Sequence, residues 1–197
     1  MKKNINRRDF IKTLGGSAIA SSALLAACKK GNGSSETASQ EPPKDKMTYR
    51  VNPATGEKVS LLGYGMMRLP VKGTGTAREN PDAPIDQDMV NRQVDYALEH
   101  GVNYFDTSPA YCQGKSEQST GIALSRHPRD KYFIATKLSN FSPETWTRKA
   151  SMEMFENSLK ELQVSYVDYL LLHGIGMGDD PEDTFNGRYM DNGILDW

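Results

Sequence analysis

Val102-Asn103-Tyr104-Phe105-Asp106-Thr107-Ser108-Pro109-Ala110-Tyr111 is the stretch on which the fold turns. A short, β-prone run ends at an acid, and the chain then enters a loop of small residues that carries a tyrosine. Just upstream, Val90, Val94, Ala97 and Leu98 share one helical face, and Gly101 follows as a stop signal. Asp86 is placed to cap that helix, with Ile85 and Val90 as a hydrophobic staple. Downstream, Glu117 to Arg126 reads as a shorter helix and Tyr132-Phe133-Ile134-Ala135-Thr136 as a strand. Met152, Phe155, Leu159 and Leu162 form the stripe of a third helix, and Val167-Asp168-Tyr169-Leu170-Leu171-Leu172 is another strand. Before the first helix, Leu61-Leu62-Gly63-Tyr64-Gly65 reads as a buried strand and Lys72 to Pro84 as a polar loop. Tyr49-Arg50-Val51 and Lys58-Val59-Ser60 flank the turn-rich Asn52-Pro53-Ala54-Thr55-Gly56, which predicts a hairpin. Strands alternate with helices, and the strands are apolar enough for a parallel sheet covered on both faces. This is α/β architecture, either an open doubly wound sheet or a closed barrel; periodicity does not separate the two.

The 197 residues carry a formal net charge of −1, so charge gives no reason to expect nucleic acid, and a small molecule is the expected partner. The beginning of the chain is of another kind. Asn6-Arg7-Arg8-Asp9-Phe10-Ile11-Lys12 precedes the apolar, acid-free run Leu14 to Ala27, too short for a permanent span and laid out as a signal peptide. Arg7-Arg8-Asp9-Phe10-Ile11-Lys12 resembles a twin-arginine export signal. Leu25-Ala26-Ala27-Cys28 resembles a bacterial lipobox, which would make Cys28 the lipidated first residue of the mature protein and anchor it to a membrane. Residues 1–28 are therefore expected to be a twin-arginine lipoprotein signal, residues 29–46 a flexible tether rich in Gly, Ser, Pro, Lys and Glu, and residues 47–197 the folded part. The expected location is periplasmic and membrane-anchored. Only Cys112 remains in the folded part, so no intrachain disulfide forms there.

Three ionisable residues stand at the carboxyl ends of successive predicted strands: Asp106, Lys137 and His173. In a parallel barrel those ends share the rim where active sites lie. Tyr111, in the loop leaving Asp106, can fold over the same rim. Singly, each has a structural explanation: a turn-forming Asp, a solvated Lys, a core His, a packed Tyr. Together they fit one chemistry. A phenol is a poor acid at neutral pH unless a neighbour stabilises its phenolate. Lys137 beside Tyr111 would do so, Asp106 would hold the lysine charged, and His173 would donate a hydrogen bond to a carbonyl substrate. Reduction of that carbonyl also needs a hydride, which no side chain supplies, so a nicotinamide or flavin is required.

These residues resemble a family. Gly65-Met66-Met67-Arg68, Asn103 to Tyr111 with Glu117 following, Ala135-Thr136-Lys137, and Val167 to His173 are similar to the motifs of the aldo-keto reductases. The resemblance implies a (β/α)8 barrel with a hairpin closing its bottom, a catalytic tetrad of Asp106, Tyr111, Lys137 and His173, and NADP(H) as cofactor. It also implies that Gly65, Met66, Met67 and Asp106 approach the nicotinamide end, while the main nucleotide-phosphate contacts come from the barrel's second half. A whole barrel takes about 250 residues. Residues 47–197 are thus expected to be its N-terminal half, about four βα units, and inactive alone. The implied activity of the whole is NADP-dependent reduction of an aldehyde or ketone, with the tyrosine as general acid. The alternative is an exported barrel that binds a ligand or partner without turnover. Gly114-Lys115-Ser116 lacks the first glycine of a phosphate-binding loop, and Gly174 to Gly178 lacks a dinucleotide fingerprint's spacing, so it reads as a loop, with an acidic loop after it. Cys112, His100 and His127 form no recognisable metal set.

Overall fold

The computed structural model describes residues 41–196. The export signal, Cys28 and most of the tether expected before the folded part lie outside the described residues. The compact unit begins at Pro42, ahead of Met47, and Lys44 pairs with Glu99 at 2.8 Å.

The hairpin forms as expected. β1 (Tyr49–Val51) and β2 (Lys58–Ser60) pair antiparallel, Tyr49 opposite Ser60. Asn103 ties the hairpin to the sheet, because its Oδ1 accepts from the Ser60 amide at 2.8 Å and its Nδ2 donates to the Lys58 carbonyl at 2.9 Å.

Four parallel strands follow in sequential order: β3 (Tyr64–Gly65), β4 (Tyr104–Asp106), β5 (Phe133–Leu138) and β6 (Tyr169–Leu172). α1 (Gln87–Glu99), α2 (Ser116–Leu124) and α3 (Arg148–Leu162) connect them, and α2 packs against both α1 and α3. A doubly wound sheet would reverse its strand order and put helices on both faces. Sequential strands under one layer of successive helices make a segment of a (β/α) barrel instead.

α1 forms where its cap and stripe predict it. The Asp86 side chain accepts from the Met89 amide at 3.1 Å, and Val90, Val94 and Ala97 are buried. They meet Met66, Leu69, Phe105, Leu124, Ile134 and Leu162 in the main core. Each such side chain, fully buried, contributes about 1.5–3 kcal/mol. α2 has no apolar stripe because it is covered nearly all round; Ser116, Glu117, Ser119, Thr120, Gly121, Ala123 and Leu124 are all buried. At Gly121 the backbones of α2 and α3 approach so closely that a Cβ would lie 2.7 Å from the carbonyl oxygens of Glu161 and Leu162.

Three sequence expectations need correction. Leu61 and Leu62 are exposed, at 63% and 62%, and only Tyr64–Gly65 is strand, because the chain still runs along the surface after the hairpin. In α3 the fully buried face is Ser151, Ser158 and Leu162, where close helix packing favours small side chains; Met152, Phe155 and Leu159 are half-buried. The acidic stretch after His173 is not all loop. Asp180 caps α4 (Pro181–Phe185) by accepting from the amides of Glu182 and Asp183, each at 3.1 Å, with Pro181 at the first turn. A wider helical turn, Asn186–Met190, continues it. Leu138, Tyr189 and Ile194 then form a second, smaller core at this end.

Candidate active site

Strand pleating places the chemistry. Phe105, Ile134, Thr136 and Leu138 turn toward the helices and are buried, so the alternate residues of the same strands face the concave side. Gly65 pairs with Asp106 and Asp106 with Ala135, while Lys137 pairs with Leu171. Lys137 lies inside β5 rather than after it, since an inward-facing charge at the rim leaves the strand free to run on to Leu138.

The four expected residues come together. Lys137 Nζ donates to Asp106 Oδ1 at 2.5 Å and to the Thr107 carbonyl at 2.9 Å. It also lies 4.7 Å from the centroid of the Tyr111 ring. Tyr111 sits on a short turn, Tyr111–Gly114, whose Cys112 and Gln113 adopt left-handed backbone at φ 52° and 54°. The Cys112 thiol donates to the Met67 carbonyl at 3.3 Å, and burial pushes that thiol's pKa up. The Tyr111 and His173 rings meet edge to face, centroids 5.6 Å apart.

His173 is held from several sides. Its Nδ1 lies 2.7 Å from Ser139 Oγ and 3.2 Å from Ser108 Oγ, and the two hydroxyls are 2.9 Å apart. Phe141 packs on its ring at 4.9 Å between centroids. Its carbonyl accepts from Arg188 Nη2 at 2.6 Å. Burial, then the positive charges of Lys137 and Arg188, push the imidazole below the ordinary histidine range; Asp106 opposes them. These effects favour the neutral ring.

Arg188 is 1% exposed and has no carboxylate partner among the described residues. Its guanidinium donates to the His173 and Gly174 carbonyls, at 2.6 and 3.0 Å, and to Asn140 Oδ1. Burial lowers its pKa, and the rings of Phe141 and Tyr189 lie within cation–π distance. Behind the sheet, Glu117 is buried, accepts from Thr136 Oγ1 at 2.5 Å, and is pushed up from the ordinary carboxylate range by burial.

Sequence reasoning missed Ser108, Ser139 and Arg188 as parts of the site. Ser108 and Ser139 follow strand ends, like the residues that were found, and position alone could have marked them. Arg188 stands in a polar stretch with no pattern to betray it. Of the residues implied for the cofactor, Gly65 is exposed and a Cβ there would meet nothing within 4 Å, so open space lies beside Asp106. Met67 is exposed as well. The Met66 side chain is fully buried, and its carbonyl accepts from Ser116 Oγ at 2.8 Å.

Residues 61–191 match the model of the aldo/keto reductase family. The chain belongs to that family. This aldo/keto reductase chain is 32% identical over 136 residues to L-galactose dehydrogenase of Arabidopsis thaliana, covering 68% of itself and 40% of that protein. It is 37% identical over 133 residues to an aldo-keto reductase of Bacillus subtilis, covering 64% of itself and 38% of the relative. Among solved structures it is similar to the holo form of an aldo-keto reductase from Bacillus halodurans, with 31% identity and a TM-score of 0.53 over 75% of this chain and 48% of that one. The aldo/keto reductase chain thus spans about two fifths of the length of the curated relatives it matches.

Proposed function

We propose that this chain carries the proton-transfer and carbonyl-binding residues of an NADP-dependent oxidoreductase that reduces an aldehyde or ketone. The observation that supports this reading best is the convergence of Tyr111, Lys137, Asp106 and His173 on one rim. Tyr111 gives its phenolic proton to the carbonyl oxygen. The Lys137 ammonium, fixed by Asp106 and the Thr107 carbonyl, offsets the negative charge left on the phenol oxygen. His173 donates a hydrogen bond to the same substrate oxygen. The open space beside Gly65 and Asp106 suits the edge of a flat ring, with Met67 exposed next to it, so these residues would hold the nicotinamide end. When bound, NADP(H) supplies the hydride. Met66 contributes by anchoring the turn rather than by touching the ligand.

We place the protein outside the cytoplasm, tethered through a lipid on Cys28; the signal-like sequence of residues 1–28 supports this. Expressing the complete gene product tests both readings. It is expected to oxidise NADPH in the presence of simple aldehydes, and Tyr111→Phe to lower the rate by about 10²- to 10⁴-fold. Nucleotide binding without turnover would instead favour a binding module. A radiolabelled fatty acid is expected on the native protein and not on Cys28→Ala; label on neither would remove the anchor.

A further inference from the structure

A neutral imidazole has one N–H, and which nitrogen carries it decides whether His173 can donate to a substrate. His173 Nε2 has no hydrogen-bond partner among the described residues, whereas Nδ1 faces Ser139 and Ser108. Counting protons separates the two tautomers. Ser108 Oγ already accepts from the Ala110 amide at 3.1 Å. If Nδ1 is bare, Ser108 donates to Ser139 at 2.9 Å and Ser139 donates to Nδ1 at 2.7 Å, and every hydroxyl proton has an acceptor at normal distance. If Nδ1 carries the proton, three donors crowd the same triangle. One hydroxyl must then turn to the one other acceptor within range among the described residues, the Lys137 carbonyl, 3.5 Å from Ser139 Oγ. That is well beyond the usual 2.5–3.0 Å for O–H···O. Ser108 is fully buried and Ser139 8% exposed, so the stranded proton would have little water to turn to, which disfavours that tautomer.

We infer that Ser108 and Ser139 are positioning residues: their hydroxyl chain from the Ala110 amide to Nδ1 fixes His173 as the Nε2–H tautomer, with its single N–H aimed at the substrate oxygen. The chain is directional. Each oxygen accepts from one side and donates to the other, beginning at a backbone amide that cannot reverse. Arg188, bonded to the His173 carbonyl, holds the backbone from which the ring projects. The inference deepens the carbonyl-reductase reading and rests on it only for its catalytic consequence, since the tautomer is a property of the protein without substrate.

The test is nitrogen NMR of histidine-labelled complete gene product, with the His173 signals assigned by their loss in His173→Gln. Unaltered protein is expected to show a protonated Nε2 and a bare, hydroxyl-bonded Nδ1. Either hydroxyl alone can reach Nδ1, Ser139 at 2.7 Å and Ser108 at 3.2 Å, so the decisive variant is the double one. Ser108→Ala with Ser139→Ala is expected to shift population toward Nδ1–H and to lower kcat/KM on the order of tenfold with NADPH affinity unchanged, while either single alanine variant keeps most of both. A protonated Nδ1 in the unaltered protein, or an unchanged tautomer in the double variant, overturns the inference. If the tautomer shifts and turnover does not, the hydroxyl chain stands and the role of His173 as donor to the carbonyl falls.

Discussion

The two cores of this barrel segment are built on opposite terms. The main one, beneath β3, β4 and β5, is apolar and continuous, and its helices pack backbone against backbone at Gly121. The smaller one, at the end of β5 and in the chain after β6, has three buried side chains, and Arg188 donates from beside them to the His173 and Gly174 carbonyls. Asp106 and Lys137 stand on the first, and His173 on the second. β5 is paired on both sides, while β6 has one neighbour among the described residues and its Leu170 and Leu171 are exposed. One part of the site is thus held by packing and the other by hydrogen bonds.

The largest effect expected is at Gly121. Gly121→Val should cost about 3 kcal/mol or more in urea titrations, because the atoms in its way are backbone carbonyls that cannot rotate aside. A loss below about 1 kcal/mol would mean that the main core yields as easily as the small one. Next is Arg188→Met, which leaves the His173 and Gly174 carbonyls short of donors and should cost about 2 kcal/mol. Limited proteolysis would sharpen the contrast: cutting is expected between Gly174 and Arg188 while α1 to α3 stay intact. Cuts spread evenly over the chain would erase the distinction.

The smallest effect is on pH, and its sign differs between the two cores. His173 is held below the ordinary histidine value of about 6.5, so the unfolded chain binds more protons just below that value. Its contribution is full above about pH 6.5 and is lost as pH falls through the lowered value. Glu117 is pushed above the ordinary value near 4.5, so the folded chain binds more protons between the two. Its contribution is present in acid and is lost as pH rises through the raised value. Amide exchange corrected for its intrinsic rate is therefore expected to speed up at Leu172 as the pH is lowered below about 6.5, and not at Ile134. Equal acceleration at both would show that acid acts on the fold as a whole.

The main core was legible in the sequence and the small one was not, for the same physical reason. α1 announces itself through a capping Asp86, an apolar stripe and Gly101, and the hairpin through its turn residues; these are local signals. Asp106, Lys137 and His173 stood out because a charge closing an apolar strand is locally odd. Ser151 and Ser158 fill the tight face of α3, which a search for apolar stripes passes over. Asp179-Asp180-Pro181-Glu182-Asp183 reads as an acidic loop, although Asp180 and Pro181 are also a helix start. The chain from Ser108 through Ser139 to His173 joins residues 65 positions apart, and no spacing rule reaches that far.

The contact at Gly121 also bears on how the molecule can move. Packed helices usually slide over one another on a layer of side chains, which re-seat in small steps. Between α2 and α3 at Gly121 there is no such layer, so shear along that contact is blocked. On the other side of α2, Glu117 accepts from Thr136 of β5 and keeps the helix in register with that strand. Any opening or closing at the rim has to come from bending at hinges, and the glycines 174, 176 and 178, with φ of 64° at the first and 98° at the last, are where the backbone can bend.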